Sequence, residues 1–361
     1  MLVNHIICFH LYNDYSGSPK VLKMVLEGLL RRGVVIDLFT SHGGVLDELS
    51  EKQGIKFHYY PYNFSKNGWV TLVRYVLVQF YTFFLAFRWL FKKNITFYIN
   101  TLLPVGPALA GKLMGKKVVY HYHENAFAKG RFYKFLAAVM QKLADEIICV
   151  SAYQAKFLNR KSKISVIQNA LPSEFVAKLV PNISAAFERQ RVLMLGSLKL
   201  YKSPLEFITL SQKLPQFCFE LVINDDKENI NQFLAEHHII VPQNLIIYPR
   251  QNDVAKFYNQ ASLVLNLSNS KMFVETFGLT ALEAMSAGLP VIVPTEGGIA
   301  ELVTDGVNGY KIDVKDLDKI SDCICKILKD KKLYIQLSEN ALSSAERYNA
   351  EAMINGIYSL F

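Results

Sequence analysis

The chain has 361 residues, more than one ordinary domain holds and enough for two of roughly 150–200 residues each. Hydrophobic residues make up 51% and charged residues 20%, which excludes a disordered chain. With no internal repeat and no Pro/Ser/Gln-rich tract, collagen, coiled-coil and solenoid architectures fall away. The net charge of +9 is uneven: residues 1–170 carry 22 Lys/Arg against 9 Asp/Glu, and residues 171–361 carry 18 against 22. A basic half beside a mildly acidic one implies an anionic partner for the first half: membrane headgroups, nucleic acid or a phosphorylated substrate.

In chain order, short β-rich runs alternate with helix-length segments. A strand is expected over 3–9, a helix from about Pro19 to Arg32 closed by Gly33, and strands over 34–40, 56–60, 96–100, 117–123, 146–150 and 165–169. The rhythm restarts with strands over 191–196, 218–224, 244–249, 261–268 and 290–294. Apolar runs of this length separated by helical patterns predict βαβ units and parallel, doubly wound sheets. Residues 171–190 contain Pro172 and Pro181 and no clear period, and read as a linker. The expectation is two tandem Rossmann-like α/β domains, 1–170 and 191–347, facing across a cleft. Ligands then sit in the loops after the strand ends. Residues 348–361 read as a last helix, with Met353, Ile357 and Phe361 at helical spacing.

The five cysteines, Cys8, Cys149, Cys218, Cys323 and Cys325, are scattered and form no C-x-x-C pair. They read as reduced core thiols of a cytosolic protein, not as a disulfide framework or zinc site. Met1 to Phe9 lacks a basic region followed by a long apolar one, so no signal peptide is evident.

One helical segment, 69–91, has five polar side chains among 23. Thr71, Arg74, Gln79, Thr82 and Arg88 fall within one half of the helical wheel. Trp69, Val73, Val76, Phe80, Phe83, Phe84, Phe87 and Phe91 lie opposite. Its longest charge-free run is 13 residues, short of the ~20 that a spanning helix needs. The preferred reading is a core helix covering the first sheet. The rival is partial immersion in a bilayer interface or acceptor contact, with Trp69 and Trp89 near the ends and Lys92 and Lys93 following. On that reading Trp69, Arg74, Phe80, Phe84 and Arg88 are the contact residues.

The most informative stretch is 269–310. A loop containing Glu275 runs into Phe277-Gly278-Leu279-Thr280, then a helix carrying Glu283 and ended by Gly288 and Pro290. Gly278 lets backbone approach a ligand closely. The first helical turn offers amide donors and the positive end of the macrodipole to a phosphate. Glu275 and Glu283, eight residues apart, span two turns if the helix begins early. Two glutamates alone read equally as helix-capping acids. Gly288-Leu289-Pro290 and Gly297-Gly298 downstream make the string specific.

This string resembles the E-x7-E signature and the following G-x-P-V…G-G pattern of retaining GT-B glycosyltransferases, family 4. The likeness extends along nearly the whole chain. Ser16-Gly17-Ser18-Pro19-Lys20 resembles the family's first glycine-containing loop, and His121 to Asn125 its His-Glu strand end. Ala144 to Ser151 is similar to A-D-x-I-I-x-V-S, Val166 to Asn169 to V-I-x-N, and Gly196-Ser197-Leu198 with Lys202-Ser203 to the G-R-L…K-G loop. Ser197 stands where the family has arginine, Ser203 where it has a second glycine, Gly17 where a glycine pair is usual, and Asn224 where a strand-end glycine is common.

The resemblance implies that Lys202, with Lys199 near Ser197, and the amides around Phe277, Gly278, Leu279 and Thr280 bind a leaving nucleoside diphosphate, with Gly17 contributing from the first domain. It implies that Glu283 holds the ribose and Glu275 the donor sugar beside the reacting carbon. His123 contacts sugar or acceptor. No metal or other cofactor is expected, Asp225-Asp226 reading as a turn or a base-side contact. The partner it implies is a nucleotide-diphosphate sugar. The basic first half and helix 69–91 motivate a glycan or lipid-linked acceptor and peripheral contact with an anionic membrane. The basic residues, spread without an aromatic-basic motif, argue against nucleic acid, and the cysteines point to a cytoplasmic location. Two other readings are open. A nucleotide-sugar 2-epimerase of the same fold would need acid and base groups beyond Glu275 and His123. A non-catalytic sugar-nucleotide-binding subunit is suggested by Ser197.

Overall fold

The computed structural model describes residues 5–65, 67–159 and 163–361. The chain divides into two compact units, one of residues 1–170 with 350–361 and one of residues 171–349.

The first unit is built on a seven-stranded parallel sheet in the order β3-β2-β1-β4-β5-β6-β7. The strands are β1 His5–His10, β2 Val35–Thr40, β3 Ile55–Tyr59, β4 Ile95–Asn100, β5 Lys117–Tyr122, β6 Glu146–Cys149 and β7 Ile164–Val166. Residues 3 and 4 of the strand expected over 3–9 lie outside the described residues. The central strands are buried along nearly their whole length, as sheets with helices on both faces must be. Five helices intervene: α1 Gly17–Arg31, α2 Gly68–Ala86, α3 Val105–Leu113, α4 Arg131–Leu143 and α5 Ala152–Ala155. Val78 and Ala86 of α2, Ala108 and Ala110 of α3, and Leu136 and Met140 of α4 share one apolar cluster with Phe9, Phe97 and Ile99 of the sheet. The three helices therefore cover the same side.

The second unit has a six-stranded parallel sheet, β10-β9-β8-β11-β12-β13. Its strands are β8 Arg191–Gly196, β9 Cys218–Ile223, β10 Leu245–Tyr248, β11 Leu263–Leu265, β12 Val291–Val293 and β13 Gly309–Lys311. The stretch expected to be a linker instead carries two short helices, α6 Ser173–Val176 and α7 Ile183–Arg189, and packs with this unit. Asn182 caps α7 by accepting from the Ala185 amide at 3.1 Å. The remaining helices are α8 Pro204–Lys213, α9 Lys227–Glu236, α10 Ala255–Gln260, α11 Leu279–Ser286, α12 Leu317–Lys329 and α13 Lys331–Ala345. Three-residue β13 was missed because GYK is too short to carry a period. Cys218, expected in the core, opens β9 and is exposed, whereas Cys8, Cys149 and Cys323 are buried.

The last helix, α14 Ala350–Tyr358, belongs to the first unit. It lies so close to α1 that a Cβ on Gly28 would sit 2.5 Å from Ile354. Arg32 donates to Glu351 and Asn355, each at 2.6 Å, and the Phe361 ring meets Tyr98 edge-on at 5.2 Å.

The segment over 69–91 covers the first sheet through a narrow stripe, Val78, Ala86 and Trp89 joining the core cluster, and leaves most of its other apolar side chains outside. On α2 only Val78, Thr82 and Ala86 are buried, while Trp69, Val73, Leu77, Phe80 and Phe84 are exposed. Trp89, which only the rival bilayer reading placed at an interface, is buried and stands edge-on to Phe39 at 5.6 Å, as a core position requires.

Candidate active site

In the second unit the strand ends gather a charged pair. After β8 the chain passes Ser197 and exposed Lys199 into a tight turn, Leu200–Lys202. Ser203 then takes a left-handed backbone (φ +57°) before Pro204 opens α8. A residue there must tolerate positive φ, which physically accounts for a glycine at this place in similar sequences. The turn aims the Lys202 ammonium at the Glu275 carboxylate, forming an ion pair 24% and 15% exposed at its two side chains. Tyr201 and Phe273 stack at 4.6 Å beside it, with the Lys202 ammonium 5.0 Å from the Phe273 ring. Lys199 is exposed and is not part of the ion pair.

Glu275 lies in the loop before α11, as expected, and the helix does not begin early enough for the two glutamates to share two helical turns. Three features hold the loop. The Gly298 amide donates to the Glu275 carbonyl at 2.8 Å. Gly297 (φ +109°) leaves no room there, since a Cβ would sit 2.5 Å from that same carbonyl oxygen. The Ser268 hydroxyl donates to the Glu275 carboxylate at 2.9 Å. Burial raises the pKa of such a carboxyl. The Lys202 charge, with hydrogen bonds from Lys202, Ser268 and Asn266, outweighs it and holds Glu275 below the ordinary glutamate value.

Gly278 (φ +99°) ends the loop, and Ile299 presses so closely that a Cβ would lie 2.4 Å away. The first intrahelical bond of α11 is made by Ala281, to the Gly278 carbonyl. The amides of Gly278, Leu279 and Thr280 therefore precede the hydrogen-bond ladder, the arrangement that receives anions. No acidic residue occupies this first turn. Phe277 is buried beneath the turn, and Asn266 donates to the Thr280 hydroxyl at 3.2 Å. Glu283, on the same helix, accepts a hydrogen bond from the Tyr258 hydroxyl at 2.5 Å. Ser268, Asn266 and Tyr258 are not identified from sequence, whereas Gly298 is part of the Gly297-Gly298 pair read there. Asn266 and Ser268 end an expected strand, where ligands bind; Tyr258 gives no such signal.

At the other end of this sheet edge, Asn224 accepts from the Arg250 side chain at 3.0 Å. Asp225 accepts from the Asp226 amide and from Asn229, as a turn opening α9. Among the described residues no three His, Cys, Asp or Glu side chains are grouped to hold a metal ion.

In the first unit, β1, β4 and β5 bring His10, Asn100 and His121 into register. His123 follows one step beyond β5, on the same side of the strand as His121, their rings 4.1 Å apart. Asn100 joins the group by contacting His123 Nε2 through Oδ1 at 3.0 Å and His10 Nδ1 through Nδ2 at 2.9 Å. Burial, with His121 and His10 nearby, holds the His123 pKa well below the ordinary histidine value, so its ring is neutral at pH 7. Glu124 turns back to accept the Leu102 amide at 3.2 Å. Gly17 opens α1 behind Ser16, whose amide and hydroxyl both donate to Asp14.

Two tandem Rossmann-like units, the second with a lysine–glutamate pair beside an open helix start, define a protein of the GT-B class. Residues 15–175 match the family described as Glycosyltransferase Family 4, and residues 181–344 that described as glycosyl transferases group 1. The chain belongs to these glycosyltransferases. It is similar to N-acetyl-alpha-D-glucosaminyl L-malate synthase of Bacillus anthracis, 28% identical over 142 residues that cover 39% of this chain and 36% of that one. The match thus spans about a third of that relative's length. The fold is similar to the crystal structure of Anabaena HepE in complex with UDP and glucose (TM-score 0.76, 17% identity, 99% of each chain). It is also similar to sucrose-phosphate synthase from Thermosynechococcus elongatus (TM-score 0.78, 18% identity, 99% of this chain and 98% of that one).

Proposed function

We propose that this protein is a retaining glycosyltransferase of the cytoplasm that moves a sugar from a nucleotide-diphosphate donor to a glycan or lipid-linked acceptor in surface polysaccharide synthesis. The observation that carries the reading is the Lys202–Glu275 pair beside the uncommitted amides of Gly278, Leu279 and Thr280. A diphosphate leaving group gains negative charge as its bond to the sugar C1 breaks. A fixed cation and amides aimed at it stabilise the transition state more than the ground state. Support for a nucleotide donor also comes from the HepE complexes, which hold UDP, UDP with glucose, or UDP-glucose.

In the proposed reaction the acceptor oxygen bonds to C1 as the C1–O bond to phosphate breaks. The acceptor proton passes to the departing phosphate oxygen on the same face, so no protein base is required. Ionised Glu275 orients donor-sugar hydroxyls and places negative charge near the developing oxocarbenium centre. Glu283 takes the ribose hydroxyls, and neutral His123 is a hydrogen-bond partner for sugar or acceptor.

The test is a thermal-shift panel of nucleoside diphosphates and their sugars, since a true ligand stabilises by mass action, followed by NMR of the product made from the stabilising donor. Preserved anomeric configuration supports the proposal. Inverted product, or reversible epimer formation without acceptor, overturns it.

A further inference from the structure

Helix α2 turns a broad apolar face outward, unlike a helix at the surface of a water-soluble protein, which turns its apolar stripe inward. Its inward side is a narrow stripe in which Val78 and Ala86 join the core and Tyr75 and Phe83 pack against it, and the polar groups along that stripe are specifically bonded. The Thr82 hydroxyl donates to the Val78 carbonyl at 2.7 Å, and the Tyr75 hydroxyl to the Leu103 carbonyl at 2.9 Å. The Gln79 side chain accepts from the Gly106 amide at 2.8 Å. At that crossing α3 approaches so closely that a Cβ on Gly106 would lie 2.2 Å from the Gln79 carbonyl oxygen. The outward side carries Trp69, Leu77, Phe80 and Phe84, from 60% to 76% exposed, and Phe91 beyond the helix is 93% exposed. The face continues across the neighbouring helices through Leu113 of α3 and Phe135 of α4, and the Tyr75 and Phe132 rings bridge α2 and α4 at 6.1 Å.

The surrounding sequence is basic. From Lys52 to Ala144 it holds 14 Lys/Arg and one carboxylate, Glu124, which is turned inward onto the Leu102 amide, while Lys52 and Lys112 pair with Glu27 and Asp145 outside this stretch. Exposed Lys92 and Lys93 follow α2, and exposed Arg131 and Lys134 flank Phe132 on α4. Lys116 fixes the turn after α2 by donating to the carbonyls of Leu90 and Lys92.

We propose that the outer face of α2, continued by α3 and α4, docks the protein on an anionic bilayer, with α2 lying in the plane of the interface. Helices of this composition insert their aromatic and aliphatic side chains roughly 5–10 Å into the headgroup boundary while cations meet lipid phosphates. The hydrogen bonds of Tyr75 and Gln79 with the Leu103 and Gly106 backbone, together with the packing of Val78 and Ala86, tie α2 to its own unit, so it lies on the membrane instead of crossing it. A second copy is a poor occupant, because a symmetric dimer would set this cationic face against itself. The inference stands on the first unit alone and does not depend on the donor chemistry proposed above.

The test is co-sedimentation of the full chain with vesicles of phosphatidylglycerol and phosphatidylcholine in equal parts, and with phosphatidylcholine alone, at low and high salt. Binding is expected to the anionic vesicles and to weaken with salt. Phe80→Asp with Phe84→Asp abolishes it, and Lys92→Gln with Lys93→Gln weakens it about fivefold per lysine. Both variants keep the wild-type unfolding midpoint and the wild-type affinity for the stabilising nucleoside diphosphate. Should the phenylalanine variant unfold, the lysine variant decides alone. Wild type that ignores anionic vesicles, binding that neither variant alters, or a concentration-dependent dimer lost in the phenylalanine variant overturns the proposal.

Discussion

Lys202 and Glu275, 73 residues apart in the chain, are joined by an ion pair that closes the gap between the turn after β8 and the loop before α11. The same pair fixes the charge of the loop and places a cation beside the amides of α11. Substituting one partner therefore tests both roles.

Glu275→Gln removes the carboxylate but keeps its shape and its bond to Ser268. Transfer is expected to fall about 100- to 1,000-fold at saturating donor, the usual cost of losing a charge-stabilising group. Nucleoside diphosphate binding stays equal or tightens, because the Lys202 ammonium loses its internal competitor. Single-turnover kinetics and calorimetry measure the two effects; unchanged turnover would remove Glu275 from the reaction.

The pH profile of kcat/KM provides a second check. In the folded protein Glu275 titrates below the ordinary glutamate value, so its charge persists above that range and is lost only as pH falls through the lowered pKa. The acid limb of the wild type therefore lies below the ordinary glutamate range. In Lys202→Met burial acts with less opposition, and the limb moves to higher pH. A limb at the same pH in both proteins would show that another group controls it.

Ser203→Gly is expected to stabilise the protein. Ser203 occupies φ +57°, a conformation costing an L-residue roughly 1–2 kcal/mol, and its buried hydroxyl has no partner. Glycine relieves both, so denaturant titration should show a gain of about 1 kcal/mol. A loss of stability would mean that the hydroxyl serves an interaction in solution.

The converse holds at Gly278. Gly278→Ala puts a Cβ into Ile299 at a backbone of φ +99°, so stability should fall by about 2 kcal/mol or more. Nucleoside diphosphate binding should weaken with it, since the amides of Leu279 and Thr280 are aimed by that turn. Circular dichroism melts and calorimetry on the same sample separate the two effects.

Acid should destabilise the protein through two buried histidines. Burial lowers His10 to about 4 and His121 to about 3, against about 6.5 in an unfolded chain. Between these values the unfolded state binds more protons, so stability is full above about pH 6.5 and falls as pH drops. The slope reaches about 1.4 kcal/mol per pH unit for each histidine. Denaturant titrations across this range should show the slope, and His121→Phe should flatten it. A flat profile in the wild type would mean that these histidines are protonated when folded.

The alternating strands and helices were legible because parallel strands buried on both faces read as unbroken apolar runs. Ile6, Phe97 and Val119 have no surface to advertise. The stretch 171–190 was not legible, because helices of four and seven residues are too short to set a period. For α2, the helical wheel does not reproduce the buried stripe: Thr82 comes from the expected polar half, Phe83 and Phe87 of the apolar half pack against the core, and Arg74 of the polar half is exposed. Spacing cannot say how narrow a stripe the sheet covers. At the site, the residues of the 269–310 string were visible as a pattern. Ser268 and Asn266 were not, because their importance comes from where β11 ends, and a polar residue at a strand end is ordinary in sequence.

The pairing of α14 with α1 bears on how the protein is made. Residues 171–349 are contiguous and can complete their own core during synthesis. The first unit cannot, because the side chains of Met353, Ile354 and Ile357 reach it only after residues 350–361 have left the ribosome. Until then the surface of α1 around Gly28 waits uncovered, and the N-terminal half, although translated first, is the last to reach its finished form.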